Sequence, residues 1–173
     1  MKISGIELPI KTADGEFIAR YSENGLVKLD FPKVVVGRVA DPPRPRDVPA
    51  KIPADVRAWH RATKAALKNV LAGRAAKNLP PLDWSGKTEF QISVWQEMLK
   101  IAAGRTKSYG EIAQAIRRSK AVRAVGGACG ANPIPVLVPC HRVLAANKKL
   151  GGFSGGLDWK RRLLAREGVV LRG

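Results

Sequence analysis

The run Ala-Asn-Pro-Ile-Pro-Val-Leu-Val-Pro-Cys-His-Arg-Val-Leu at residues 131–144 puts a thiol, an imidazole and a guanidinium next to one another, at Cys140, His141 and Arg142. A thiol attacks carbon well only as its thiolate, and a nearby base or positive charge favours that form. The apolar residues Val136–Val138 lead into Pro139, whose ring fixes φ just before the thiol. Adjacency in sequence does not establish contact, because neighbouring side chains can point apart. A Cys-His pair alone therefore fits a packing role as well as a nucleophile with its base.

The elements that would position this run are legible on both sides of it. Phe17–Ser22 and Leu26–Phe31 read as two strands around Glu23-Asn24-Gly25, and Asn-Gly is a strong hairpin signal. Residues 39–53 are rich in proline and charge and read as an exposed connection. A helix is predicted from about Ala54 to Gly73, with Val56, Trp59, Ala66, Leu67 and Val70 on its apolar face and Thr63 a mild interruption. His60 on that helix reads as a solvated side chain. Asn78–Gly86, with Pro80-Pro81, reads as a linker between two halves.

In the second half, Thr88 with Gln91 and Ser108 with Glu111 are capping-box pairs, each opening a helix. The first helix carries Phe90, Val94, Trp95, Met98 and Leu99, and Gly104 can end it. The second runs through Ile112 and Ile116. A turn at Arg117–Lys120 follows, and Ser119 is the expected cap of a third helix. That helix should turn Val122, Val125 and Cys129 inward, with Lys120, Arg123 and Gly127 on the other side. Two short helices about a tight turn suit a helix-turn-helix, although an ordinary helical hairpin has the same spacing. Arg142–Ala145 and Leu150–Phe153 are expected to pair as a small hairpin. The glycine-rich stretch at 151–156 is either a surface loop or a loop that lets a substrate approach closely. Asp158 is the expected cap of a last helix burying Trp159, Leu163 and Leu164, ended by Gly168.

Composition narrows the partners. The 173 residues carry 31 basic and 14 acidic side chains, a net charge of +17. Such an excess repels itself unless a polyanion is near, so nucleic acid is the first partner to consider. The chain has no long apolar run for a membrane span and no signal-peptide pattern at Met1–Ile10. A cytoplasmic location, with both cysteines reduced, is the expectation. Cys129, Cys140, His60 and His141 lack zinc-site spacing, so no structural metal is expected.

These blocks together resemble the O6-alkylguanine-DNA alkyltransferases, also called methylated-DNA–protein-cysteine methyltransferases. The resemblance is carried by Ser108-Tyr109-Gly110-Glu111-Ile112-Ala113, Arg123-Ala124-Val125-Gly126-Gly127, Asn132-Pro133 and Val138-Pro139-Cys140-His141-Arg142-Val143. It continues through Phe153-Ser154-Gly155-Gly156-Leu157 and Leu163-Leu164-Ala165-Arg166-Glu167-Gly168, in the family's order and spacing. Residues 1–86 match only loosely. The fold so read is α/β (α+β). Residues 1–80 form a small N-terminal domain of antiparallel strands and a helix, and 81–86 a linker. Residues 87–173 form a mainly helical C-terminal domain with a helix-turn-helix and a winged-helix-like hairpin.

What the resemblance implies is direct reversal of alkylation damage in double-stranded DNA. The protein would act as a monomer bound in the minor groove, with no cofactor. Cys140 would take the alkyl group from guanine O6, and less readily from thymine O4, after the nucleotide is flipped from the stack. His141 would draw off the thiol proton through a bridging water, and Glu167 would orient His141. The thiolate would then be accessible below the ~8.5 of a free cysteine. Tyr109 would donate to the base, and Asn132 would tie the recognition helix to the active-site segment. Arg123 would fill the gap left in the duplex, with Gly110, Gly126, Gly127 and Tyr109 at the DNA surface. Val143, Phe153 and Ser154 would line the pocket. The product is a thioether that water does not readily cleave, so each molecule would act once.

There are departures from the family pattern. Cys129 stands where many relatives have methionine and reads as a packing residue, Gly130 stands where an arginine is sometimes found, and the zinc-site residues of some relatives are missing. Two other readings compete. A lesion-binding relative that marks damage without repair lacks the reactive cysteine, against which the intact Pro-Cys-His-Arg speaks. A cysteine hydrolase would use Cys140 and His141 but gives no reason for the helix-turn-helix or the charge.

Overall fold

The computed structural model describes residues 5–32 and 52–171, so most of the connection expected at 39–53 lies outside the described residues. Strands β1 (Ile6–Thr12), β2 (Gly15–Tyr21) and β3 (Leu26–Asp30) form an antiparallel meander in that order. The hairpin expected around Asn24-Gly25 is the β2–β3 connection, closed by Ser22 N–H donating to Gly25 O at 2.9 Å. Gly25 has φ +146°, and a side chain there would run into the Pro81 carbonyl, so glycine is required on both counts. Strand β1 was not foreseen, because Pro9 breaks its pattern. It is an edge strand, where a missing N–H is tolerated. Along β2, Phe17, Ala19 and Tyr21 alternate inward with the period of two that a one-sided sheet needs.

Helix α1 (Ala54–Leu71) covers the sheet with Val56, Thr63, Ala66, Leu67 and Val70 buried. Thr63 is absorbed there without penalty: its hydroxyl donates to Trp59 O at 2.8 Å and accepts from the Tyr21 hydroxyl at 2.9 Å. His60 is half-buried rather than solvated, with Nδ1 3.1 Å from the same Tyr21 hydroxyl. Burial, followed by the field of Lys64, lowers its pKa.

Residues 81–83 are tied into the edge of β3. Leu26 N–H donates to Pro81 O at 2.8 Å, Asp83 N–H donates to Leu26 O at 2.9 Å, and Leu82 bridges Leu26 in parallel. Further along β3, Leu29 N–H donates to Pro133 O at 3.0 Å. The sheet edge thus holds the segment that leads to Cys140. Phe17, Phe31, Trp159 and Phe153 continue the same core, with ring centroids 5.1–5.7 Å apart. Asp14, in the β1–β2 turn, takes the guanidinium of Arg166 at 2.7 Å and 2.8 Å and that of Arg162.

Helices α2 (Glu89–Leu99), α3 (Tyr109–Ala115) and α4 (Val122–Gly130) pack on one another, and both capping boxes form as read. Trp95 fixes α2 to α4 by donating to Ala128 O at 2.8 Å. Ser119 does not cap α4. The turn is held by Arg118 N–H to Ala113 O and Ala121 N–H to Arg118 O, which moves the helix start to an Ala121 cap with no side-chain bond. With that start the inward residues are Val125, Ala128 and Cys129, and Val122 is left 40% exposed.

The hairpin expected from 142–145 and 150–153 does not pair. Strand β5 (Val143–Leu144) lies instead parallel to β4 (Lys107–Ser108). The carbonyls of Leu150 and Gly152, which a partner strand would need, accept from the Lys160 ammonium. Asp158 is likewise not a cap. Helix α5 (Leu157–Arg166) begins after Gly156, and Asp158 lies inside its first turn, 3.4 Å from Arg161. Gly168, at φ +76°, follows its Glu167 cap. Among the described residues, no helix is long and apolar enough to cross a membrane.

Candidate active site

The segment before the thiol is a closed, buried loop. Asn132 holds it at both ends, accepting from Ile134 N–H at 3.0 Å and donating from Nδ2 to Val138 O at 2.8 Å. Val136 inside it has φ +73°, a region β-branched residues avoid, so surrounding structure must hold it there. Val138 O also accepts from Cys140 N–H at 2.8 Å, and Arg142 N–H donates to Pro139 O at 3.0 Å. These bonds wind Cys140–Arg142 into one tight turn, in which all three residues are buried.

The turn separates the three side chains. Arg142 does not serve the sulfur. Its Nε and Nη2 reach the Glu167 carboxylate at 2.8–3.2 Å, and Nη1 donates to Ile101 O at 2.6 Å. His141 Nε2 lies 3.0 Å from the same carboxylate, and Gly104 N–H donates to it at 3.1 Å. Burial disfavours ionised Glu167, but the bonds from His141 and Arg142 outweigh it and bring its pKa to about 2. The carboxylate is therefore a fixed negative charge behind the imidazole. Burial lowers the His141 pKa and Glu167 raises it back in part, with a net shift downward. The ring is neutral at pH 7, and His141 Nδ1 makes no hydrogen bond among the described residues.

Cys140 is 4% exposed, and burial pushes its thiol up to about 11. This corrects the expectation of a thiolate accessible below ~8.5: desolvation outweighs the polar neighbours Asn132 and Lys160. The resting group is a thiol, and it becomes a nucleophile only on losing that proton. Cys129 lies against Met98 Sδ at 3.6 Å, pushed by burial to about 12.

Lys160 was missed by the sequence reading. It lies on α5 one position after the buried Trp159, where a basic residue reads as solvent-facing. Its ammonium instead donates to Val143 O at 2.7 Å, to Leu150 O and to Gly152 O. It thereby ties β5, which follows the Cys140 turn, to the glycine-rich loop. Burial lowers its pKa to about 8. Lys160→Met would leave those carbonyls without a donor. A net destabilisation of about 2 kcal/mol is expected, with faster amide exchange across 150–156. Unchanged melting and exchange would refute the tie.

The remaining residues read from sequence fall around this centre. Tyr109 is half-buried at the start of α3, against the glycine-rich loop. Its hydroxyl comes so close to Gly151 that a Cβ there would lie 2.6 Å from it. Burial first, then the fields of Cys129 and Cys140, raises its pKa. Val143 is buried on β5, Phe153 packs on Phe31, and Ser154 is exposed in the loop. Arg123 is exposed on α4. Gly110 has only the Ser108 hydroxyl within 4 Å of a Cβ built on it, and Gly126 and Gly127 have nothing. Glycine weakens a helix by roughly 1 kcal/mol relative to alanine. Nothing inside the described residues requires that sacrifice at 126 and 127, so the bare face suits close approach by something outside. Among the described residues, no cluster of three or more His, Cys, Asp or Glu is placed to hold a metal ion.

Residues 89–169 match the family model described as 6-O-methylguanine DNA methyltransferase, DNA binding domain. The methylated-DNA–protein-cysteine methyltransferase of Methanosarcina mazei is 55% identical over 80 residues, 46% of this chain and 51% of that protein. The inducible enzyme of that name from Bacillus subtilis is 45% identical over 97 residues, 56% of this chain and 54% of its own. The chain spans about half the length of these curated relatives. Among solved structures, Mycobacterium tuberculosis OGT in complex with DNA superposes with a TM-score of 0.70 at 34% identity. That match covers 92% of this chain and 90% of the other.

Proposed function

The chain belongs to the O6-alkylguanine-DNA alkyltransferase family, and from that premise we propose that it repairs alkylated duplex DNA by moving the alkyl group to Cys140. The observation that carries this reading is one buried centre in which the Cys140 turn, His141 and an ionised Glu167 are held together, with Asn132 joining the end of the glycine-bared α4 to the loop before the thiol. Cys140 attacks the alkyl carbon in line, the S–C bond forms and the C–O6 bond breaks. His141 accepts the thiol proton through a water, and Glu167 stabilises the imidazolium. Tyr109 supplies a proton to the departing guanine, and relay of the thiol proton back through the site restores the balance. Val143, Phe153 and Ser154 line the base pocket, and Asn132 couples it to α4.

Residues 87–173 hold both the chemistry and the DNA surface. The helix-turn-helix of α3 and α4 enters the minor groove as a monomer, with Tyr109, Gly110, Gly126 and Gly127 against the duplex. Arg123 occupies the space of the flipped nucleotide. The protein works in the cytoplasm, where both thiols stay reduced.

Incubation with a duplex carrying one O6-methylguanine should add about 14 Da, one methyl for one hydrogen, to each molecule, with no further turnover, as expected for covalent capture. Tight binding to that duplex with no mass gain would favour the lesion-marking alternative. Extrusion is tested separately. Unstacking costs roughly a few kcal/mol, so Arg123→Ala should slow transfer from duplex strongly. Transfer from free O6-benzylguanine should change little. Equal losses on both substrates would remove Arg123 from the flipping step.

A further inference from the structure

Helix α1 has no part in the site above, yet it carries an unusual charge pattern. Arg57, Arg61, Lys64 and Lys68 follow one another at helical spacing and are all exposed. Residues three and four apart are neighbours on a helix, so the four make one continuous stripe. The buried stripe of Val56, Thr63, Ala66, Leu67 and Val70 faces the core instead. The helix has a single acid, Asp55, whose carboxylate accepts from Val56 N–H at 2.8 Å. Among the described residues, none of the four cations makes an ion pair.

The helix itself does not call for this arrangement. Like charges at these spacings repel and weaken it, and only Lys68, in the last turn, gains from the helix dipole. Alongside the cations lie Ala58, Ala65 and Ala72, all exposed, which put neither bulk nor negative charge in the way of an approaching surface. A protein partner would need larger apolar anchors, and among the described residues the large exposed hydrophobic ones, Val122, Leu157 and Val170, are elsewhere. A phosphate backbone needs only the charge. From residue 57 to 68 the stripe runs about 17 Å at the helical rise, the axial length of about five phosphates on one strand. Helix α1 packs on the sheet and α5, whereas α3 and α4 pack on each other and on α2, so the stripe is a separate surface.

We infer that the Arg57–Arg61–Lys64–Lys68 stripe is a second contact surface for duplex DNA, holding phosphates beyond the segment that α3 and α4 engage. The inference rests on the DNA-binding role proposed above. It accounts for positive charge on a helix remote in packing from the recognition helix. Contacts to phosphate alone carry no sequence preference, so the stripe adds affinity and reach along undamaged DNA rather than lesion recognition.

The test replaces Arg57, Arg61, Lys64 and Lys68 together by glutamine, which keeps helix propensity. A control protein loses four exposed cations elsewhere, Lys11, Arg74, Lys77 and Lys87. Binding to an undamaged duplex of about 60 base pairs is measured against salt, where each lost phosphate contact lowers the log–log slope by about 0.9. The stripe variant should lose about 3 to 4 from that slope, and the control less than 1. On a duplex of about 10 base pairs, too short to extend beyond the recognition helix, the stripe variant should match the wild type. Equal slopes for stripe variant and wild type on the long duplex would overturn the inference, as would equal losses in variant and control. Labelling of Cys140 by free O6-benzylguanine in the same preparations reads the proposed chemistry independently. If labelling fails while the slopes differ, the fault lies with that chemistry and not with the stripe.

Discussion

Cys140→Ala should abolish alkyl transfer altogether while binding to duplex DNA stays measurable. On the reading proposed above the Cys140 sulfur forms the new bond, and alanine has no atom to take its place. Cys129 is the other thiol in this part of the core, but it packs on Met98 Sδ, and burial pushes its thiol up. It also lacks a neighbour like His141. Cys129→Ala should therefore still gain one methyl per molecule, and peptide mapping of the wild-type protein should place the label on Cys140. A mass gain that survives Cys140→Ala, or a label mapped to Cys129, would overturn the assignment.

A comparable loss is expected at His141, with a distinctive dependence on pH. With burial pushing the thiol up to about 11, the thiolate is a minor form at pH 7, so on this reading the proton is removed in the reaction itself. His141 is buried with its pKa lowered, and it is ready as a neutral base across the neutral range. The wild-type rate on free O6-benzylguanine should be nearly flat there. His141→Ala should fall by ~10²–10⁴-fold at pH 7, the usual worth of a general base, and then recover about tenfold per pH unit toward pH 11. Glu167→Gln should follow the same course with a smaller loss, since an amide still orients the ring but cannot balance its charge. Stability gives a second readout. The Glu167 pKa is lowered to about 2, below its unfolded value. Its contribution, up to about 3 kcal/mol, is therefore present above ~4.3 and lost as pH falls from there toward 2. Denaturant unfolding should show wild type and Glu167→Gln converging across that window. Equal transfer rates for wild type and both variants at pH 7 would remove the relay.

Local signals were legible wherever a few residues settle the outcome. The two capping boxes, the Asn-Gly hairpin and the apolar face of α1 depend on spacings of two to four residues, and all appear in the fold. The errors fall where distant groups compete for the same atoms. Residues 150–153 did not become a strand because Lys160 claims their carbonyls. Ser119 lost the cap because the turn closed on Ala113 and Arg118. Asp158 lost it because Gly156, at φ +87°, makes the entry into α5.

The same division holds at the site. The sequence by itself determined the kind of chemistry: a thiol, an imidazole and a later carboxylate in six ordered blocks, on a chain with a strong positive charge. Only the tertiary structure decided which charge serves which atom. Arg142, next but one to the sulfur in sequence, is committed to Glu167, and the cation whose field reaches the thiol is Lys160, twenty residues on. The thiol is raised rather than lowered because desolvation depends on everything packed around an atom. That surrounding comes from several separate segments of the chain, and no short stretch of sequence contains it.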